Sequence, residues 1–236
     1  MANENKDVGE GAEPKSLKYA SFFSRNKWPI AVAISLVVVV LIVIGLMQSS
    51  RKKKEARAFE AHLNAKTSQD HLRVAGQFPN TFYGSVSLLE AGNLLFEKGK
   101  YAEARKLYLK FLDVYTERAL RAWLHNLVGA TFEAEAKYDE AIQYYRRAET
   151  SPWLKLQAKL NIGRCFELKG DSEEDPQLAL QQYDIARTYY RQLAETTPSS
   201  PGSVPGPTPW RHQAQARIDL LTEKERTARE TALKKS

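Results

Sequence analysis

The sequence predicts an all-α chain: one N-terminal transmembrane helix, then an α-solenoid of about three helical hairpins, then a C-terminal capping helix. Three observations carry this expectation. The phrase Lys100-Tyr101-Ala102-Glu103-Ala104 returns as Lys137-Tyr138-Asp139-Glu140-Ala141, with Gly92 and Gly129 each twelve residues before the last alanine. Gly163 then follows Gly129 by 34 residues, a period suited to two short helices and their turns. Far upstream, the run from Trp28 to Met47 contains no charged residue.

Residues 1–27 form a polar tail, too poor in apolar residues over 1–15 to bury a core. Residues 28–50 are the transmembrane helix, since about 20 residues at 1.5 Å each span a hydrocarbon core near 30 Å. Trp28 suits the interface and Pro29 a first helical turn, while Arg51 to Lys54 halt the segment on its far side. A cleaved signal peptide fits less well, because the apolar run is longer than an h-region and no Ala-x-Ala site follows. Lys15, Lys18, Arg25 and Lys27 flank one end; Arg51, Lys52, Lys53, Lys54, Arg57 and Lys66 flank the other. That count slightly favours a cytoplasmic C-terminal side and leaves topology open. Residues 51–81 form a juxtamembrane helical segment, with Ala56, Phe59 and Leu63 continuing the helix and Pro79-Asn80-Thr81 stopping one helix and starting another.

Apolar positions recur at three and four from residue 82, and the repeats are set at 82–117, 119–152 and 153–197. The small pairs Gly92 with Ala104 and Gly129 with Ala141 are expected where helices cross closely. Leu95 with Tyr108 and Phe132 with Tyr145 are expected to fill the wider gaps one turn away. On these residues the chain resembles the tetratricopeptide family: Gly92, Tyr101, Ala104 and Tyr108, then Gly129, Phe132, Tyr138, Ala141, Tyr145 and Ala148. The first repeat departs from the family pattern at Phe111 and in lacking a closing proline near Thr116. In the third repeat Gly163, Phe166 and Gly170 match the first helix, and Ala186, Tyr190 and Pro198 the second. About eleven extra residues lie between them by comparison with the other repeats, centred on an insertion at 171–176, where Asp175 is placed to cap a longer helix opening at Pro176. Residues 198–209 hold five prolines and read as a stiff linker. Residues 210–236 form a C-terminal helix with Ala214, Ile218 and Leu221 on one face and a frayed, charged tail.

The formal charge is +7, but its location matters more than its size. Arg51 to Lys54 contribute +4, and the residues after them hold 26 basic against 24 acidic side chains. A nucleic-acid footprint would cluster Lys and Arg on the fold itself, so nucleic acid is not an expected partner. Cys165 has no cysteine to pair with and sits between Ile162 and Phe166 as a small apolar residue. His62, His71, His125 and His212 are not spaced to bind metal from one helix, and no phosphate loop or nucleophile elbow occurs. No catalytic residue, cofactor, metal or small-molecule substrate is expected. An enzyme with a site between repeats is the outlying alternative.

Function is then expected in the concave surface to which first helices contribute residues between the packing positions. The candidate partner-binding residues are Asn93, Phe96 and Glu97, then Trp123, Asn126 and Glu133, then Gln157, Arg164 and Glu167, with Val86, Leu89, Ala130 and Leu160 in register beside them. Trp123 and Phe96 serve either that groove or packing against neighbouring repeats. A carboxylate clamp is disfavoured, because Leu89 stands where it would need a lysine.

A tail ending in Phe22, Phe23, Arg25 and Lys27, one span, a helix and about three repeats also resembles the bacterial YfgM-like family, including Phe78-Pro79-Asn80-Thr81-Phe82-Tyr83. That resemblance implies an inner-membrane protein with a cytoplasmic N-terminus and a periplasmic repeat domain, ancillary to the Sec translocon and to a membrane-anchored periplasmic chaperone. The expected role is a non-enzymatic interaction scaffold. A cytoplasm-facing adaptor of the same fold is the alternative.

Overall fold

The computed structural model describes residues 27–114, 117–195 and 209–235. The tail at 1–26, Thr116 and the Pro-rich stretch at 198–208 lie outside the described residues. Among the described residues all regular structure is helical. By compactness the chain divides into Met1–Ala56 and Arg57–Ser236.

The first unit is built on α1 (Lys27–Asn64). Its apolar side chains point outward, with Leu41 at 61 % and Met47 at 53 % exposure. A core helix would bury that surface; this one is a candidate membrane span, long and apolar enough by length and composition. The hydroxyl of Ser35 donates to the Ala31 carbonyl at 2.8 Å, which satisfies the one polar side chain in the run.

In the second unit the last turns of α1 bury Ala58 and set the Phe59 ring 4.7 Å from Tyr83. Helix α2 (Ser68–Gln77) opens on a capping box, Thr67 accepting from the Asp70 amide and the Asp70 carboxylate accepting from the Thr67 amide. Asn80 turns the chain in the left-handed region at φ 62°, and Thr81 accepts from the Gly84 amide to cap α3 (Phe82–Glu97). The segment 51–81 thus includes a second capped helix that packs on α3 before the repeats begin.

Three hairpins follow: α3 with α4 (Tyr101–Val114), α5 (Arg118–Ala134) with α6 (Tyr138–Ala148), and α7 (Lys155–Asp171) with α8 (Pro176–Ala194). The glycine contacts differ from the sequence expectation. A β-carbon on Gly92 would meet the Tyr108 ring at 2.7 Å, one on Gly129 the Tyr145 ring at 2.8 Å, and one on Gly163 the Tyr190 ring at 2.7 Å. The close partner of each glycine is therefore a tyrosine ring, not Ala104 or Ala141, although both alanines are fully buried nearby. Phe132 likewise stacks on Tyr144, at 5.4 Å, and shares its cluster with Tyr145.

The turns repeat as well. Gly99 at φ 73° precedes Lys100, and Ala136 at φ 58° precedes Lys137. The Lys100 and Lys137 amides reach back to Leu95 and Phe132 carbonyls at 2.9 Å, closing each first helix with the same left-handed cap. At the insertion only residues 172–175 are non-helical. The extra chain lengthens the helices: Gly170, seven residues after Gly163, receives the ring of Tyr183, seven before Tyr190. Asp175 accepts from the Gln177 amide at 2.9 Å with Pro176 in the first turn, the cap anticipated from the sequence.

Helix α9 (Pro209–Lys235) lays Ala214 and Leu221, both fully buried, with Ile218 and Ala228 onto the α7–α8 core. The expected frayed tail is helical through Lys235. Arg226 pairs with Glu223 at 3.0 Å and Glu230 at 3.1 Å, and Arg187 of α8 pairs with Glu225 at 2.8 Å.

Two substitutions separate these effects. Gly129→Ala drives a methyl into a ring that cannot swing away, so it should lose about 1–2 kcal/mol despite alanine's better helix propensity. Ala136→Gly should gain about 1 kcal/mol by relieving a left-handed alanine. Urea midpoints of the two variants, moving in opposite directions, check both.

Candidate functional site

The four tyrosines seated on glycines direct their hydroxyls to acceptors on the first helices. Tyr108 donates to Asn93 Oδ1 at 2.9 Å, Tyr145 to Glu133 Oε2 at 2.6 Å, Tyr190 to Glu167 Oε2 at 2.8 Å and Tyr183 to Asp171 Oδ1 at 3.0 Å. Each acceptor stands one residue or one turn after its glycine, where the hydroxyl emerges once the ring has crossed that glycine. Three of the expected groove residues, Asn93, Glu133 and Glu167, are therefore tied to the packing scheme.

The two glutamates also hold the following element. Arg164 of α7 grips Glu133 with two nitrogens, Nε at 2.6 Å and Nη2 at 2.8 Å, a bidentate fork that raises the pKa of the guanidinium. Glu167 is 1 % exposed and receives Lys224 Nζ at 2.8 Å and Arg217 Nη1 at 3.3 Å from α9. Expected as an open groove residue, Glu167 is instead enclosed by the capping helix, because a buried carboxylate beside Tyr190 needs cationic partners. Lys224 is desolvated there, which alone would lower its pKa, but its bonds to Asp171 and Glu167 raise it overall.

Asn126 accepts from Asn161 Nδ2 at 2.9 Å, linking α5 to α7 through a buried amide that sequence reasoning did not single out. Trp123 is half-buried against Leu88, Phe111, Leu112 and Leu124, a packing role. Gln157 is half-buried on α7. Tyr101 meets Phe96 edge-on at 5.1 Å, Tyr138 and Phe166 pack on the cluster of Ala141, Ile142 and Tyr145, and Ala148 and Ala186 are fully buried. Burial pushes the Cys165 thiol well above its ordinary range, which disfavours the thiolate form.

Asn93, Phe96 and Glu97 come together. With Glu90, Tyr108, Leu127 and Ala130 they line a cleft of ≈ 300 Å³ where α3 faces α5. Glu97 is exposed, Phe96 offers an aromatic face, and Asn93 is held by both Tyr108 and Glu90. The cleft carries two carboxylates around an apolar floor, and Phe96 with Leu127 shapes that floor. Glu90 and Leu127 were missed in the sequence because they lie on flanks of the helical faces that single-helix periodicity does not distinguish. A second cleft of ≈ 300 Å³, lined by Leu160, Arg164, Gln213, Ala216 and Arg217, lies between α7 and α9.

Residues 85–151 match the model of the family described as "Tetratricopeptide repeat", and residues 6–79 match that of the "African swine fever virus J13L protein". A stretch of 78 residues is 31 % identical to "Uncharacterized protein ycf37" of Cyanophora paradoxa, covering 33 % of this chain and 45 % of that protein. The chain thus spans less than half the length of that curated relative. Among solved structures, the "Crystal structure of Podosopora anserina putative kinesin light chain nearly identical TPR-like repeats" aligns with TM-score 0.44 and 13 % identity, over 77 % of this chain and 91 % of that one. The repeat match runs from the first turn of α3 to the turn after α6, so α3 to α6 are the part similar to tetratricopeptide repeats, and the third hairpin continues their packing rule. Such repeats are protein-interaction scaffolds.

The tyrosines imply a measurable alkaline response. Burial raises the Tyr108 hydroxyl to about 12, and burial with the neighbouring carboxylates raises those of Tyr145 and Tyr190 further. Once unfolded, these phenols release their protons near the ordinary value of 10.0, so the native state binds more protons above that pH. Stability is complete below about pH 10 and falls as pH rises beyond it. Urea midpoints measured between about pH 9 and pH 11 should decline, and decline less steeply in a Tyr145→Phe, Tyr190→Phe double variant.

Proposed function

We propose that the protein is a non-enzymatic, membrane-anchored scaffold whose cleft between α3 and α5 captures a segment of a partner protein. The observation that carries this reading is the meeting of Asn93, Phe96 and Glu97 with Leu127 and Ala130 across two successive repeats. An apolar floor with an aromatic edge supplies affinity by burial, and Asn93 supplies direction through hydrogen bonding. Glu90 and Glu97 favour a segment that pairs an apolar anchor with a basic residue. Of the remaining expected groove residues, Trp123 packs beneath the cleft, Asn126 and Gln157 are assigned to its continuation toward α7, Glu133 and Arg164 join the second hairpin to the third, and Glu167 joins the third to α9.

The setting is proposed as the bacterial inner membrane, with residues 28–50 as the span, a cytoplasmic N-terminus and the repeats in the periplasm. There the scaffold assists export or chaperone assemblies, at the Sec translocon or beside a membrane-anchored periplasmic chaperone. The likeness of the whole layout to YfgM-like proteins supports this, as does the outward-facing apolar run of α1. A cytoplasm-facing adaptor is the second reading, favoured by the basic block Arg51, Lys52, Lys53 and Lys54 directly after the apolar run.

A C-terminal alkaline phosphatase fusion separates the two, being active only if the repeats are exported; an inactive but stable fusion selects the adaptor. Photo-crosslinking in native membranes tests the cleft. A crosslinker at exposed Glu97 should yield protein adducts, and one at exposed Glu140 should not. Phe96→Ala should weaken that capture by at least about 1 kcal/mol. Equal adducts from both positions would remove the cleft from the interaction.

A further inference from the structure

At the end of the second hairpin away from its turn, α5 and α6 enclose a pocket of ≈ 360 Å³ lined by Arg118, Arg121, Ala122, His125, Arg147 and Thr150. Arg118, Arg121, Ala122 and His125 recur at three and four along α5, so they share a face, and Arg147 and Thr150 meet them from the end of α6 and the turn after it. Three guanidinium groups therefore converge on one small space. Among the described residues, neither Arg118 nor Arg147 is in an ion pair with a carboxylate, unlike Arg105, Arg164, Arg187 and Arg217. Arg118 and Arg147, like charges brought together with no carboxylate paired to either among the described residues, repel each other, and an anion between them would relieve that repulsion.

The pocket is also organised. Arg121 Nη1 donates to the Leu112 carbonyl at 2.7 Å, fixing that guanidinium against the end of α4. Arg147 lies 4.8 Å over the Tyr144 ring, and the His125 ring stands 5.9 Å from the same tyrosine, so one aromatic platform positions both. His125 Nδ1 is buried with no hydrogen-bond partner. Helix α5 begins at Arg118 behind Glu117, whose side chain makes no cap hydrogen bond, so the positive end of the helix lacks a side-chain cap beside the pocket.

We propose that this pocket binds a phosphate monoester dianion, gripped by Arg118, Arg121 and Arg147 with Thr150 at its edge. A planar guanidinium matches two oxygens of a tetrahedral oxyanion, and the forks of Arg118 and Arg147 meet there beside Arg121, whose charge adds to theirs while its Nη1 is held by the Leu112 carbonyl. Burial, then Arg147 and Arg121, hold His125 below its ordinary pKa, so the arginines carry the positive charge at neutral pH. The site is distinct from the α3–α5 cleft and does not depend on that cleft's function.

The test is calorimetric titration of the full-length protein in an uncharged detergent with inorganic phosphate, with chloride and acetate at matched ionic strength as comparators. Phosphate should bind and the comparators should not. Arg118→Ala with Arg147→Ala, both exposed and so compatible with folding as checked by circular dichroism, should weaken phosphate binding about tenfold or more. Lysine at both positions should retain part of it, since charge survives while the fork is lost. A phosphoserine peptide binding more tightly than inorganic phosphate assigns the site to a protein-borne group, and the reverse assigns it to free phosphate. Acetate binding as tightly as phosphate, no phosphate heat, or phosphate binding unchanged in the double alanine variant would overturn the proposal.

Discussion

The contact between a glycine and a tyrosine ring, made at Gly92, Gly129 and Gly163, sets how closely the two helices of each hairpin approach. With no β-carbon on one side, a whole aromatic ring fits where two ordinary side chains would collide, and the ring contributes more buried apolar area than any small pair. The ring also extends to the far side of the first helix, which brings a polar hydroxyl into a nearly dry interior. That oxygen must be bonded, so an acceptor is required at a position dictated by the length of tyrosine.

From the acceptor the consequences pass to the next element. In the first hairpin the acceptor is the amide of Asn93, which is neutral and asks for nothing further. In the second and third it is a carboxylate, and a buried carboxylate calls for a cation: Arg164 answers Glu133, and Lys224 and Arg217 answer Glu167. The ring contact inside a hairpin thus becomes an ionic contact between hairpins, and finally between the last hairpin and α9. Stability in such an array resides in these neighbour terms as much as in each unit.

Much of this was legible in the sequence, and the exceptions have physical causes. The repeated Lys-Tyr-x-Glu-Ala phrase marked the hairpins because it combines a turn with packing residues, and Asp175-Pro176 announced its helix through local capping chemistry that needs no tertiary information. Which residue faces Gly129 was read wrongly, since a small-with-small pairing is the simpler guess and the reach of a ring is not visible in periodicity. Glu167 looked like a groove residue because its helix face is correct. Only the path of a helix fifty residues later, after a Pro-rich stretch, decides that Arg217 covers it. Asn161 and Leu127 escaped notice for a related reason: their partners lie on other helices, and a single amide or leucine on a helical face carries no signal of its own.

The second ring contact in the third hairpin, Gly170 with Tyr183, lies beyond the shared crossing: α7 runs eight residues past Gly163 where α5 runs five past Gly129, and α8 opens fourteen residues before Tyr190 where α6 opens seven before Tyr145. At 1.5 Å per residue the seven additional residues of α8 make a ledge of about 10 Å projecting past the span the other hairpins use. A terminal helix docked on a hairpin of ordinary length would leave its later turns hanging in water. Here Leu221 and Ala228 have a surface to rest on, and Lys224 finds Asp171 at the ledge's rim, 2.5 Å away. The added length gives the end of the array a longer seat, along which the last helix sets down side chains from Ala214 to Ala228.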